Sequence, residues 1–324
     1  MNAPHEVRAS RTPRPAPVRD RVDGVLVLDK PKGLSSNHAM LAARRLMGAA
    51  KAGHGGTLDP MASGVLPIVF GEATKFAHDL LDADKTYLAT LRLGETSTTG
   101  DAEGVLARTH VSPPDEAGLR AAIERFVGPI LQRPPMHSAL KHQGRPLYEY
   151  ARNGVDIERE ARPVVVHSID LLSLSGDLLS VRVVCSKGTY IRTLAQDIGE
   201  SAGCGAWLFD LRREAVDSLT LAQSVSLDQL EAFTLSERRA TLAPLDGLLQ
   251  RLRRVDLDHA LALRFSQGQR LRLMPRTESA PERVRVYQAD RLLGVAMLDA
   301  GVLISQRLIA SLPNPVEKTQ DILP

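Results

Sequence analysis

Apolar residues in this chain come mostly in short runs broken by glycine and proline, and only a few stretches carry the three-to-four spacing of a helix. Residues 25–30 and 86–93 read as strands; in the second, Tyr87 and Leu91 fall on one face and Leu88 on the other. Residues 164–174 and 178–185 read as neighbouring strands joined at Ser175, Gly176 and Asp177, and 207–216 as a strand carrying Leu211. Helices are predicted over 38–47, capped by Ser35, Ser36 or Asn37, over 72–81, over 114–126 with a stripe of Leu119, Ala122, Ile123 and Phe126, over 191–200 and over 227–233. Residues 96–104 are a polar, turn-rich connection, and 132–152 an irregular mixture of basic and aromatic residues suited to following a phosphate backbone.

The pattern divides the chain in three. Residues 1–20 hold four prolines and four arginines with no apolar period and read as a disordered arm. The main domain runs over 21–250, with a linker beginning at Pro244. A short helix at 257–265 and alternating runs around Leu271, 284–287, 292–297 and 302–304 then predict a small β-rich domain over 251–324.

Chemistry concentrates in residues 52–75, AGHGGTLDPMASGVLPIVFGEATK, where Asp59 is the sole carboxylate before Glu72. Gly53, Gly55, Gly56 and Gly64, with Pro60 and Pro67, break any regular period, so the centre of the segment reads as a shaped loop, with 65–70 returning to the core. An aspartate before a proline most often only caps a turn. A phosphate loop is excluded, because no Lys-Ser or Lys-Thr follows the glycines and no GxGxxG is present.

Composition narrows the class. The 324 residues are 43% hydrophobic, no apolar run approaches the length of a membrane span, and no secretory leader is recognisable, so a cytoplasmic protein is expected. Cys185 and Cys204 offer no metal spacing and read as buried thiols. The net charge of +3 is uneven: residues 251–291 hold ten arginines, no lysine and five acids, a local +5, leaving −2 for the rest. Such a run is usually a solvated face, but arginine without lysine suggests phosphate contacts.

The string GHGGTLDPMASGVLPIVFGEATK resembles the signature of the TruB-type tRNA pseudouridine synthases. LDKPKGLSSN at 28–37, DKTYLATLRLG at 84–94, SALKHQGRPLYEYAR at 138–152, SKGTYIRTLAQDIG at 186–199 and LRR at 211–213 follow in that family's order. Gly55 departs from it, standing where the family usually has Thr or Ser. The resemblance implies an α+β fold, with a pseudouridine synthase core of mixed, largely antiparallel sheet and a C-terminal PUA-like, RNA-binding domain. It also implies isomerisation of uridine-55 in the T stem-loop of tRNA, with base flipping and an aspartate nucleophile, by a cytoplasmic monomer needing no metal or other cofactor.

By the same resemblance Asp59, Tyr87 and Arg192 are catalytic, and His54, Tyr190, Leu211 and Lys30 bind substrate, with His54 filling the space left by the flipped base. Lys30 ends a strand where a loop could expose it. Tyr190 and Arg192 open a helix, where unpaired N–H groups favour anions. Two rivals stand beside this reading. One is an RNA-folding factor tolerant of losing Asp59; the other is a carboxylate hydrolase, for which Glu72 is the nearby second acid. Removing the chain from Arg251 onward is expected to weaken RNA binding more than the chemical step.

Overall fold

The computed structural model describes residues 19–275 and 280–310, so nearly all of the expected N-terminal arm lies outside the described residues. Ten strands form the main sheet: β1 Gly24–Lys30, β2 Ala52–His54, β3 Ser63–Phe70, β4 Lys85–Leu93, β5 Gly128–Gln132, β6 Arg162–Ser175, β7 Leu178–Cys185, β8 Ala206–Val216, β9 Leu219–Thr220 and β10 Val225–Ser226. Their order is β10-β1-β3-β8-β4-β7-β6-β5, with β2 paired to β3 and β9 to β8. Every pairing is antiparallel except β10 with β1 and β3 with β8, which is the mixed, largely antiparallel sheet expected of the α+β class.

Alternation along each strand explains how the sheet is covered. Leu26 and Leu28 of β1 and Leu66, Ile68 and Phe70 of β3 pack with Ala39 and Ala43 of the helix Ser36–Leu46 and with Met47, which caps its C-terminus. Val25, Val27, Val65 and Val69 face the other way, against Ala73, Leu80 and Val216. With both faces covered, these strands read as continuous apolar runs. In β4 the odd positions Tyr87, Ala89, Leu91 and Leu93 join Leu194 and Ile198 of the helix Ile191–Ser201 and Leu119 and Ile123 of the helix Glu116–Glu124.

Strand β8 breaks the period. Leu208 and Leu211 are both buried in that core although three residues apart, which a regular strand forbids. A bulge between Leu208 and Asp210 absorbs the extra residue, Phe209, and leaves it exposed.

Other sequence expectations need correction. Ala52–His54, for which the sequence predicts no regular element, is a short strand, because it hydrogen-bonds the edge of β3. The predicted helix at 72–81 begins as a 3-10 turn over Gly71–Phe76 and becomes α-helical only over Ala77–Asp82. The stretch at 132–152 contains a two-residue hairpin and the short helix Leu147–Arg152. The expected linker after Pro244 is a packed joint: Leu249, in the 3-10 turn Leu245–Leu249, is buried with Phe76 and Val295.

The C-terminal unit is a five-stranded sheet ordered Arg253–Asp256, Glu282–Gln288, Arg291–Asp299, Val302–Leu308 and Leu271–Arg272, with the helix His259–Ser266 packed on it through Phe265. This is the β-rich domain expected, and its form is consistent with a PUA-like domain. Part of the arginine run is paired on the surface: Arg253 with Glu282, Arg254 with Asp256, Arg251 with Asp217 and Arg283 with Asp79. The guanidinium fork is spent there on carboxylates, not left free for phosphates. Among the described residues no helix is long and apolar enough to cross a membrane.

Candidate active site

The loop bearing Asp59 leaves β2 and enters β3 where β3 meets β8 in a parallel contact of only two residue pairs, Ser63 with Arg212 and Gly64 with Arg213. Gly64 has φ +107, and a Cβ there would collide with the Arg213 backbone, so only glycine lets the two strands approach. Fully buried Arg213 then reaches back: Nε donates to Val65 O at 2.7 Å, Nη2 to Gly56 O at 3.3 Å and Nη1 to Thr57 O at 3.4 Å. On the other side, buried Ser36 accepts from Leu58 N at 2.7 Å and donates to Leu58 O at 2.8 Å, while Gly33 N donates to Pro60 O. The loop is therefore tied backbone atom by backbone atom, and Asp59 projects from a rigid frame.

Arg192 lies at the crossing of three segments. Nη2 is 2.9 Å from Asp59 Oδ2 and donates to His137 O at 2.7 Å; Nη1 is 3.4 Å from Asp101 Oδ2. Arg192 and Asp101 are each only 5% exposed at the side chain, whereas Asp59 is 35% exposed. The reachable partner of a buried cation is thus Asp59, and the buried partner is Asp101, whose Oδ1 also accepts from Thr99 Oγ1 and Glu103 N. A carboxylate held this way keeps one orientation while remaining open to a ligand.

Tyr87 is buried on β4, opposite Arg213 of β8. Burial raises its phenol above the usual range; Arg213 opposes the rise and the Asp59 carboxylate adds to it. Tyr190 precedes the helix that carries Arg192, and burial likewise raises its phenol, with Asp59 adding to the effect. Its backbone N–H does not wait for an anion, contrary to the expectation from sequence. It donates to Gln132 Oε1 at 2.7 Å, and Gln132 Nε2 donates back to Tyr190 O at 3.1 Å. Leu211 is buried on β8, paired with Ala89. His54 closes β2, where its buried Nδ1 has no hydrogen-bond partner; burial lowers its pKa and Arg213 lowers it further, so the ring is neutral at pH 7.

Lys30 is not exposed. Its side chain is fully buried, with Nζ donating to Pro31 O at 2.8 Å and Leu34 O at 2.7 Å. Burial lowers its pKa to about 8 despite the opposing pull of Asp59, and Arg213 lowers it as well. With 10.5 for the free side chain, the unfolded chain binds more protons between pH 8 and 10.5, so stability contributed by Lys30 is lost as pH falls through 8 and restored above 10.5. Urea unfolding of wild type and Lys30→Met should show the difference in unfolding free energy moving in favour of wild type by about 1–2 kcal/mol between pH 8 and 9.5. A constant difference would refute the shift.

Gly55 also has a structural reason. A Cβ at that position would come within 2.5 Å of Leu80 Cβ, because Leu80 occupies the space a Thr or Ser side chain would need. Gly55→Ser is expected to cost about 1–3 kcal/mol of stability by overpacking. Combined with Leu80→Gly, which removes the Cβ, Cγ and Cδ1 atoms it would meet, it should cost less than the two single changes added, as read by urea unfolding; strict additivity would show that the two positions do not compete for space.

Glu72, the second acid required by a hydrolase, is engaged elsewhere: it pairs with Lys75 and accepts from Ala310 N. Sequence reasoning overlooked Asp101, Arg213, Gln132 and Ser36. Arg213 lies within the LRR block at 211–213 and Ser36 within LDKPKGLSSN, whereas Asp101 and Gln132 carry no local signal.

Three family models match consecutive parts of the chain: the TruB family pseudouridylate synthase N-terminal domain over 44–191, the tRNA pseudouridylate synthase B C-terminal domain over 192–255, and the pseudouridine synthase II TruB C-terminal domain over 254–309. The chain is 57% identical to the tRNA pseudouridine synthase B of Burkholderia mallei over 305 residues, covering 93% of this chain and 98% of that one. It is 55% identical to that of Cupriavidus metallidurans over 309 residues, covering 93% and 98%. Among solved structures, a chain of a Cbf5-Nop10-Gar1 complex shares the fold with TM-score 0.68 and 23% identity, over 88% of this chain and 84% of that chain. Matched domain by domain and along almost its whole length, the chain belongs to the TruB family of pseudouridylate synthases and is an isomerase.

Proposed function

We propose that this chain converts uridine-55 in the T loop of tRNA to pseudouridine, acting in the cytoplasm as a monomer with residues 21–250 as its catalytic unit and 251–324 as a PUA-like RNA-binding unit. The relatives' name supports tRNA as substrate. The observation that carries the reading is the half-exposed Asp59 carboxylate held by Arg192 beside the buried phenol of Tyr87.

The isomerisation breaks the bond between uracil N1 and ribose C1′, turns the base, joins C5 to C1′, releases the C5 proton to solvent and takes up a proton at N1. A stacked uridine hides both reacting positions, so the nucleotide must be turned out of its stack. Asp59 is the nucleophile, reachable because it alone of the three charged groups meets solvent. Arg192 fixes its orientation, and buried Lys30 adds positive field beneath it. Tyr87, kept as a neutral phenol, packs its ring on the flipped uracil, with Tyr190 and Leu211 as further walls. His54, neutral and without a hydrogen-bond partner at Nδ1, fills the gap in the RNA without importing charge.

Carbodiimide mapping of an unmodified tRNA transcript after incubation with the protein tests the assignment. One reverse-transcription stop, one nucleotide 3′ of position 55, is expected; a stop reporting another uridine, or none, overturns it.

A further inference from the structure

The segment between the Asp59 loop and β4 is also the seat of the C-terminal sheet. Arg283 of the strand Glu282–Gln288 grips Asp79 through both carboxylate oxygens, at 2.6 and 3.5 Å. Lys75 Nζ donates to Leu308 O at 2.8 Å, Glu72 accepts from Ala310 N at 2.8 Å, and Phe76 is buried against Leu249 and Val295. Each of these contacts lands on residues 71–82.

The opposite side of the same segment touches the catalytic loop. Leu80, one residue after Asp79, fills the space beside Gly55. Buried Lys85 donates to Leu80 O at 3.1 Å and Leu81 O at 2.8 Å, as well as to Ala83 O, fastening the helix end to the start of β4, two residues before Tyr87. A displacement of the helix Ala77–Asp82 would therefore reach Gly55 through Leu80 and Tyr87 through Lys85.

We infer that Arg283 is a positioning residue: through its ion pair with Asp79, the C-terminal sheet holds the helix that supports the Asp59 loop. The sheet then contributes to the chemical step as well as to RNA capture, unlike the expectation from sequence that its removal acts mainly on binding. The inference rests on the isomerase reading above.

Single-turnover isomerisation at saturating T-stem-loop RNA, with RNA affinity measured separately by filter binding, tests it in Asp79→Asn, Arg283→Met and the exchanged pair Asp79→Arg with Arg283→Asp. Each single variant should lower the rate about fivefold with affinity within about twofold, and the exchanged pair should recover most of the rate. Unchanged rates in the singles overturn the inference. So does weaker binding in Arg283→Met with Asp79→Asn unaffected, which would make Arg283 a direct RNA contact. A wild type that binds RNA without isomerising it would instead refute the functional reading itself.

Discussion

Replacing Asp59 with Asn should lower the single-turnover rate by roughly 10⁴-fold or more while RNA affinity stays within about twofold. The substitution conserves shape, and Asn Oδ1 can still accept from Arg192 Nη2, so the loop held by Arg213 and Ser36 should stay in place. What disappears is the negative charge that attacks. Because affinity comes from a wide RNA footprint and the charge acts only at the reacting centre, the loss belongs in the rate. Fluorescence anisotropy with labelled T-stem-loop RNA and a parallel single-turnover assay separate the two. Weakened binding with an intact rate would show that Asp59 is an anchor for RNA.

The second large effect is expected at Arg192, and it should be double. Arg192→Met removes the cation that orients Asp59, which should cost about 10²–10³ in rate, a magnitude typical of a lost preorganised electrostatic contact. It also strands Asp101, buried and negative, with Oδ2 facing the vacated position. Breaking a buried pair from one side costs about 3–5 kcal/mol of stability, much of it the penalty of the charge left behind. Adding Asp101→Asn should therefore restore a large part of the stability, since the amide oxygen can still accept from Thr99 Oγ1 and Glu103 N, but none of the rate. Urea unfolding and single-turnover kinetics on the single and double variants check both halves. Recovery of rate together with stability would mean that Arg192 matters only to folding.

Strands β1, β4, β6 and β7 could be read from sequence because period-two alternation or unbroken apolar runs settle burial locally, without knowledge of the neighbours. The bulge at Phe209 could not, because it exists only to bring Leu208 and Leu211 into one core. The 3-10 start at Gly71–Phe76 follows from packing: Gly71 adopts φ +53 against Val22 and Asp23, whose carboxylate accepts from Glu72 N.

The site divides in the same way. Asp59, Tyr87 and Arg192 came from a family pattern of residues, and the fold brings the Asp59 loop and Arg192 into contact. Asp101 sits in a polar turn and meets its partner 91 positions later, so its burial is a tertiary fact with no trace in local composition. A lysine at a strand end is usually within reach of solvent. Here the carbonyls of Pro31 and Leu34 turn back to satisfy the ammonium and draw it inside.

The most direct test of the central claim is single-turnover tritium release from T-stem-loop RNA labelled at uracil C5, comparing wild type with Asp59→Asn and assaying free uracil in the same samples. Release from wild type at one uridine, none from Asp59→Asn and no free uracil is the predicted result. Tight RNA binding without release from either protein, or release of free uracil, would contradict it.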